Sequence, residues 1–322
     1  MKTTTAERWH SKNKALLFVL DCSRNLRMYR KHKYLVLMFV PVVMYYLVFC
    51  YGPMYGITIA FKDYSFSKGI LGSDWIGFDN FKRLFAAPSF REVFRNTLIL
   101  SFYKLATGFP ATIAFAILLN ELQQIRFKKV VQTISYLPHF LSWVILGGMF
   151  IQLLSPSSGP INQLLSLIGM KPIYFLGDVK WFRFTLVITS LWKGVGWGSI
   201  IYLAAIAGID TQLYEAAIID GARKFKQIIH ITIPSLAPVI TIMLIFSVGS
   251  IINDDFDQIF NLYNEAVYSV GDVISTYNYR IGLIQNEYGY STALGLFKNL
   301  ISVSLILLTN FLAKKYNDYG IW

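Results

Sequence analysis

Apolar residues in this chain fall in long blocks rather than in a dispersed helical or strand rhythm. A helix crossing a bilayer core takes about 20 apolar residues. Six stretches reach or approach that length: 34–60, 97–120, 130–154, 182–207, 236–252 with a polar extension, and 292–313. Pro41, Pro53, Pro110 and Pro138 lie inside these blocks. A membrane helix tolerates them because neighbouring groups satisfy the freed carbonyls. The pattern predicts an all-α membrane protein with six transmembrane helices and no internal repeat. Its parts are a basic tail (1–33), a six-helix domain (34–315) containing a connecting loop at 208–235, and a short C-terminal tail (316–322).

Composition agrees. The 322 residues are 55% hydrophobic and only 15% charged, with mean hydropathy +0.47, against about 25% charged in soluble domains. The net charge of +12 raises the question of nucleic acid, but its placement answers it. Lys2, Arg8, Lys12, Lys14, Arg24, Arg27, Arg30, Lys31 and Lys33 precede the first block, and further clusters sit at Arg126–Lys129, Arg223–Lys226 and Lys314–Lys315. That distribution marks one side of a membrane as cytoplasmic, places both termini there, and argues against nucleic-acid binding. The tail is also suited to anionic lipid headgroups, and 15–20, with Leu26 and Met28, reads as an interfacial or plain cytoplasmic helix. Cys22 and Cys50 have neither disulfide nor metal-ligand placement, and no cleavable signal peptide is evident. The opposite face carries long aromatic loops (Tyr64, Phe66, Trp75, Phe78, Tyr263, Tyr268, Tyr277), read either as headgroup-level anchors or as a docking surface.

One connector is built differently. Between the fourth and fifth blocks, Asp210 or Thr211 can cap a short helix whose first turns hold Glu215. Ala216 and Ala217 are small enough to let another backbone approach. Gly221 permits a turn, and a second helical run at 222–231 is expected to end where Pro234 biases Ile233 away from helix. The product is a helix–turn–helix elbow with Leu213, Ile218, Phe225, Ile228 and Ile229 available for burial, either against its own bundle or against another protein.

The spacing Glu215-Ala216-Ala217, three residues, Gly221, nine residues, Ile231-Thr232-Ile233-Pro234 resembles the signature of binding-protein-dependent permeases, with Ile233 in place of leucine. Asp220 beside Gly221 fits the same pattern. Trp75-Ile76-Gly77-Phe78-Asp79-Asn80-Phe81, Leu191-Trp192-Lys193-Gly194-Val195-Gly196-Trp197-Gly198, Tyr202 through Asp210, Phe256 through Phe260 and the ending Gly320-Ile321-Trp322 narrow the likeness. They are similar to the oligosaccharide and polysaccharide permeases, including lipoprotein-partnered and alginate-type systems. The resemblance implies a type I ATP-binding-cassette importer permease in a bacterial cytoplasmic membrane. Its implied partners are a second, homologous permease chain, two copies of an ATPase, an extracellular solute-binding protein and a saccharide. It also implies that the elbow is a coupling helix seated in the ATPase, with Glu215 pairing a basic ATPase residue. This chain would then hold no cofactor, ATP and Mg²⁺ belonging to the partner ATPases. The sequence has no Gly-x-x-x-x-Gly-Lys-Ser/Thr loop and no nucleophile–base pair or zinc motif, so the chain itself reads as a transport subunit rather than an enzyme.

Charges at membrane depth usually face a cavity or a partner. Lys104, Lys193 and Lys298 are such residues. Lys193 and Trp192 are candidates to line the pathway or its gate, the alternative for Lys193 being an ion pair with Asp254 or Asp255. The glycines around them allow close helix packing. Asn253, Asp254, Asp255, Asp257 and Gln258 carry groups suited to sugar hydroxyls, and read either as pathway residues or as a solvated outer loop. His139 is expected to be packed rather than a ligand. Two rival classes are an ion-coupled secondary transporter for a polar solute, which predicts repeats and paired mid-membrane carboxylates, and a membrane scaffold or receptor.

Overall fold

The computed structural model describes residues 32–252 and 254–317. The expected interfacial helix before residue 32, Asn253 and the Gly320–Trp322 ending lie outside the described residues. By contacts the chain divides into two compact units at Thr58/Ile59.

The first apolar block forms α1 (Lys33–Phe61). Its winding changes from α over Lys33–Tyr45 to π over Tyr46–Tyr51 and 3₁₀ over Gly52–Phe61. Pro41 sits inside the α portion, and Pro53 follows the switch to 3₁₀ winding.

In the second unit a two-stranded ribbon pairs β1 (Lys62–Asp63) antiparallel to β2 (Asp74–Trp75), with Lys62 opposite Trp75. Then come α2 (Asp79–Ala86), α3 (Pro88–Glu121), α4 (Ile125–Tyr136), α5 (Trp143–Leu153), α6 (Pro160–Leu167), α7 (Val179–Ala207), α8 (Thr211–Ile219), α9 (Lys224–Gly249), α10 (Phe256–Leu262), α11 (Ile274–Tyr279) and α12 (Tyr288–Asn317). The spans α3, α7 and α12 contain the expected apolar blocks, while α9 covers the block 236–252 only as far as Gly249, where its helix ends.

Two expectations need correction. The block 130–154 is not one straight span: Ile125–Phe140 and Trp143–Leu153 meet at 105°. Pro138 opens a 3₁₀ turn (Leu137–Phe140) that leaves the helical path, and Ser142 restarts the helix by accepting a hydrogen bond from the Ile145 amide at 3.4 Å. Nor does Pro234 end a helix. Ile233 keeps helical dihedrals (φ −63°, ψ −46°), and the helix runs through a π turn at Ile228–Thr232 into Ile233–Gly249. The wider π turn re-spaces the backbone bonds just ahead of Pro234, which has no N–H to give, so the chain continues where an ideal α-helix would stop.

Three buried clusters tie the second unit together. One joins Leu100 of α3 with Phe182, Leu186, Ile259, Leu262, Val267 and Val273. A second gathers Leu84, Phe90, Val93, Ile252, Ile274, Tyr277, Tyr290 and Leu294. The third packs Ala116, Ile117, Tyr202, Ile206 and Leu236. Outward faces carry exposed Phe102, Leu118, Ile134, Val144, Phe184, Leu300 and Phe311, as expected where lipid is the solvent. Between helices in lipid, close packing matters more than apolar burial. A Cβ on Gly196 would lie 2.1 Å from the Ser135 carbonyl oxygen, and one on Gly198 would lie 2.9 Å from a Thr112 methyl. Those two glycines of the Gly194–Gly198 run let α7 approach α4 and α3.

Candidate functional site: a polar cavity and an elbow

Two places concentrate the polar chemistry, and the first is a cavity of about 360 Å³. Helix α3 contributes Ser101, Lys104 and Thr112, α7 contributes Ser190 and Tyr202, α9 contributes Ser247, and Ser250, Asp254 and Asp255 follow α9. A second cavity of about 190 Å³ shares Lys104, Thr112 and Ser190 and adds Gly194.

Lys104 donates to Asp255 at 2.9 Å and also to the Gln258 carbonyl oxygen. Gln258 is fully buried, and its amide nitrogen donates to the Leu186 carbonyl at 2.7 Å and to the Thr189 hydroxyl at 2.8 Å. Lys298 of α12 donates to Asp254 at 3.3 Å, and the Ser275 amide donates to the same carboxylate at 3.1 Å. The Asp254 side chain is 2% exposed. The segment 254–258 is therefore a wall held from α3 on one side and α12 on the other, with the Asp254 and Gln258 side chains buried and Asp255 and Asp257 exposed.

Of the sequence candidates, Lys104, Asp254 and Asp255 line the cavity, while Gln258 and Lys298 stand behind it. Asp257 is exposed, and Trp192 packs edge-to-face on Phe150 at 5.7 Å. Lys193 does not pair with Asp254 or Asp255. Its ammonium donates to the carbonyls of Leu141, His139 (3.2 Å) and Pro138 (3.4 Å), which the bend between α4 and α5 turns toward it. His139 is packed as expected, stacked parallel on Trp197 at 4.5 Å.

Sequence reasoning missed the hydroxyls of Ser101, Thr112, Ser190, Tyr202 and Ser247. Their only sequence signal is recurrence inside apolar spans. It also missed a network above the cavity. Arg183 donates to Asn96 at 2.8 Å and to the Val270 carbonyl at 3.1 Å, while Asn96 donates to the carbonyls of Ser269 and Asp272. Arg280 pairs with Asp272 and lies over the rings of Tyr268 and Tyr277. Burial works against the Arg280 charge, but the bond and proximity to Asp272 outweigh it and raise its pKa. Burial pushes the Tyr263 phenol nearby up to about 12.

The second place is the elbow. Asp210 accepts from the Gln212 amide at 2.9 Å and caps α8. Gly221 adopts φ +76°. Its amide donates to the Ile218 carbonyl at 3.0 Å and the Ala222 amide donates to Ala217 at 2.8 Å, a Schellman closure that fits glycine best. Glu215 sits in the second turn of α8. Buried Gln227 donates to the Ala222 carbonyl at 2.8 Å, Tyr214 and Thr232 share a hydroxyl contact at 2.9 Å, and Lys224 reaches Glu121 of α3 at 3.2 Å.

This scaffold leaves its outer surface uncovered. Ile219 is 86% exposed, Phe225 73% and Ile218 61%, with Glu215, Ala216 and Asp220 exposed beside them. Ile231 is half-buried and Pro234 exposed, and Ile228 packs on the third cluster. Among the described residues Glu215 makes no ion pair.

Comparison with known proteins gives this arrangement its context. The chain is 44% identical over 292 residues to the polygalacturonan/rhamnogalacturonan transport system permease protein YteP of Bacillus subtilis (strain 168), covering 91% of each. It superposes with TM-score 0.86 and 39% identity on a chain of a bacterial ABC transporter involved in the import of the acidic polysaccharide alginate, covering 91% of this chain and 99% of that one. A chain of the bacterial alginate ABC transporter in complex with an alginate pentasaccharide-bound periplasmic protein matches with TM-score 0.85 and 38% identity, over 92% of this chain and 99% of that one. Residues 108–318, which include both the elbow and the 254–258 wall, match the family of binding-protein-dependent transport system inner membrane components, and the chain belongs to that family of ABC importer permeases.

Proposed function

We propose that this permease carries an oligosaccharide or polysaccharide, delivered by an extracellular solute-binding protein, and that the elbow at 210–232 transmits ATP-driven motion to the bundle. The observation that carries the coupling role is the elbow's surface. A rigidly capped turn presents Glu215 together with exposed Ile218, Ile219 and Phe225, the composition of a contact that another protein completes. The saccharide reading is supported by the relatives that transport polygalacturonan or alginate and by a cavity whose polar lining is hydroxyls, Asp254 and the Lys104–Asp255 pair.

In this reading Ala216 and Ala217 admit the ATPase backbone, and Glu215 pairs with a basic residue there. ATP and Mg²⁺ bind and react on the ATPase subunits, and this chain has no hydrolytic site of its own. A second, homologous permease completes the pathway. Closure of the ATPase pair moves the elbows, and the bundle tips so that saccharide enters from outside and leaves inward. Saccharide drives that change only as far as it binds the two states differently. An ion-coupled carrier would place paired carboxylates at mid-membrane. Here Asp254 and Asp255 each engage a lysine, and the family match supports ATP coupling instead.

The test is purification of the tagged chain from native membranes in mild detergent, beside a Glu215→Arg variant. The wild type should bring down an ATPase, a second permease and a solute-binding protein, with the ATPase selectively lost in the variant. Reconstituted, the complex should hydrolyse ATP faster with loaded binding protein, assayed with oligogalacturonides and alginate oligosaccharides. An intact wild-type chain that recovers no ATPase would sink the reading.

A further inference from the structure

Lys104, Lys193 and Lys298, the lysines expected at membrane depth, are satisfied in two different ways. Lys104 and Lys298 each meet a carboxylate. Lys193 meets backbone: its ammonium donates to the carbonyls of Pro138, His139 and Leu141 and lies 5.2 Å from the centre of the Trp143 ring. Three N–H donors thus face three acceptors.

Those carbonyls have a defined place. They belong to the end of the helical stretch Ile125–Phe140 and the link to Trp143–Leu153, where the chain turns by 105°. Here the Pro138 carbonyl takes one bond from the Leu141 amide at 3.2 Å and a second from Lys193. The last carbonyls of a helix lack intrahelical partners and carry the negative end of its dipole. In an apolar surround that is a strong demand for a cation, and α7 supplies one on a tether. Ser142 caps the restarting helix, so both ends of the break are satisfied.

The direction of α5 after the break is passed on. Gly147 of α5 is pressed against α10, where a Cβ would stand 2.9 Å from the Asn261 side chain. Helix α10 begins immediately after Asp255 and carries Gln258, the two groups that hold Lys104. Lys193 lines neither cavity, yet a continuous run of packed groups leads from it to the wall.

We propose that Lys193 is a positioning residue, a tethered cation that fixes the α4–α5 bend and, through the Gly147–Asn261 contact, the Asp255–Gln258 wall of the cavity. In this role it takes the place that a bound monovalent cation could fill among the same carbonyls. The proposal makes no use of the cargo's identity, and its readout is separate from transport.

The experiment places spin labels at Ile145→Cys on α5 and Leu118→Cys on α3, two exposed positions, with Cys22 and Cys50 changed to serine. Distances are measured in the purified complex. Lys193→Met keeps the length of the side chain but removes its charge, and should shift and broaden the distance distribution. Lys193→Ala, expressed and purified in methylammonium chloride, should keep the wild-type distribution and lose it when the amine is dialysed away. It should do so even if the methionine variant fails to assemble. A lysine that served only to touch cargo would leave the distribution unmoved in Lys193→Met, or unmoved on amine removal in Lys193→Ala. Either result overturns the proposal.

Discussion

The elbow and the cavity wall are both polar features of one bundle, and they are finished in opposite ways. The elbow's turn is closed locally, by Asp210, by the bonds around Gly221 and by Gln227, while its outer side chains are left exposed. In the wall, Lys104, Lys298, Asp254 and Gln258 are satisfied by one another across α3, α7, α10 and α12. A surface finished by its backbone and open in its side chains is ready for a partner. A surface closed by its own ion pairs must exchange them if it is to move.

That contrast can be broken most severely at Lys298. Lys298→Met leaves the nearly inaccessible Asp254 carboxylate without its cation, and should cost about 3–5 kcal/mol. It would be read as earlier loss of monodisperse complex on heating. Adding Asp254→Asn should restore most of the loss, because the uncompensated charge is gone. Glu215→Arg should do the reverse. The chain's own thermal stability should stay within about 0.5 kcal/mol, while ATPase retention in a salt-titrated pull-down falls by about 10- to 100-fold, the worth of a charge-assisted contact. Equal instability in both variants would erase the distinction between open and closed surfaces.

Two smaller changes sharpen the local side. Gly221→Ala forces a Cβ into the left-handed region at φ +76°, and should cost about 1–2 kcal/mol of elbow order, visible as faster amide exchange across 211–227 with the spans unaffected. Tyr214→Phe removes the hydroxyl contact to Thr232 and should cost about 1 kcal/mol. The same exchange measurement would show a response confined to α8 and the π turn.

Where sequence and structure agree, the interactions are short in sequence or carried by bulk solvation. Apolar blocks long enough to cross a bilayer announce the spans, and α3, α7 and α12 contain theirs while α9 covers most of its own. The elbow was legible because its caps are local: Asp210 acts two residues on, and Gly221 closes on Ala217 and Ile218. The two errors of local reading came from prolines. Pro138, expected inside one helical block, lies at a bend, and Pro234, expected to end a helix, lies inside a continuing one. A proline removes one donor in either case. Whether the helix bends or re-spaces its bonds depends on what stands beside it, and Lys193 is what stands beside the first.

The sequence by itself determined that this chain spans a membrane and that a capped elbow lies between the fourth and fifth spans. These follow from the cost of exposing apolar surface and from bonds between near neighbours. Only the tertiary structure decided which charges meet. Lys104 finds Asp255 across 151 residues and Lys298 finds Asp254 across 44, while Lys193 finds no acid and takes carbonyls instead. A lysine's sequence surroundings state that it needs a partner, but helix packing chooses among the acids and carbonyls within its reach.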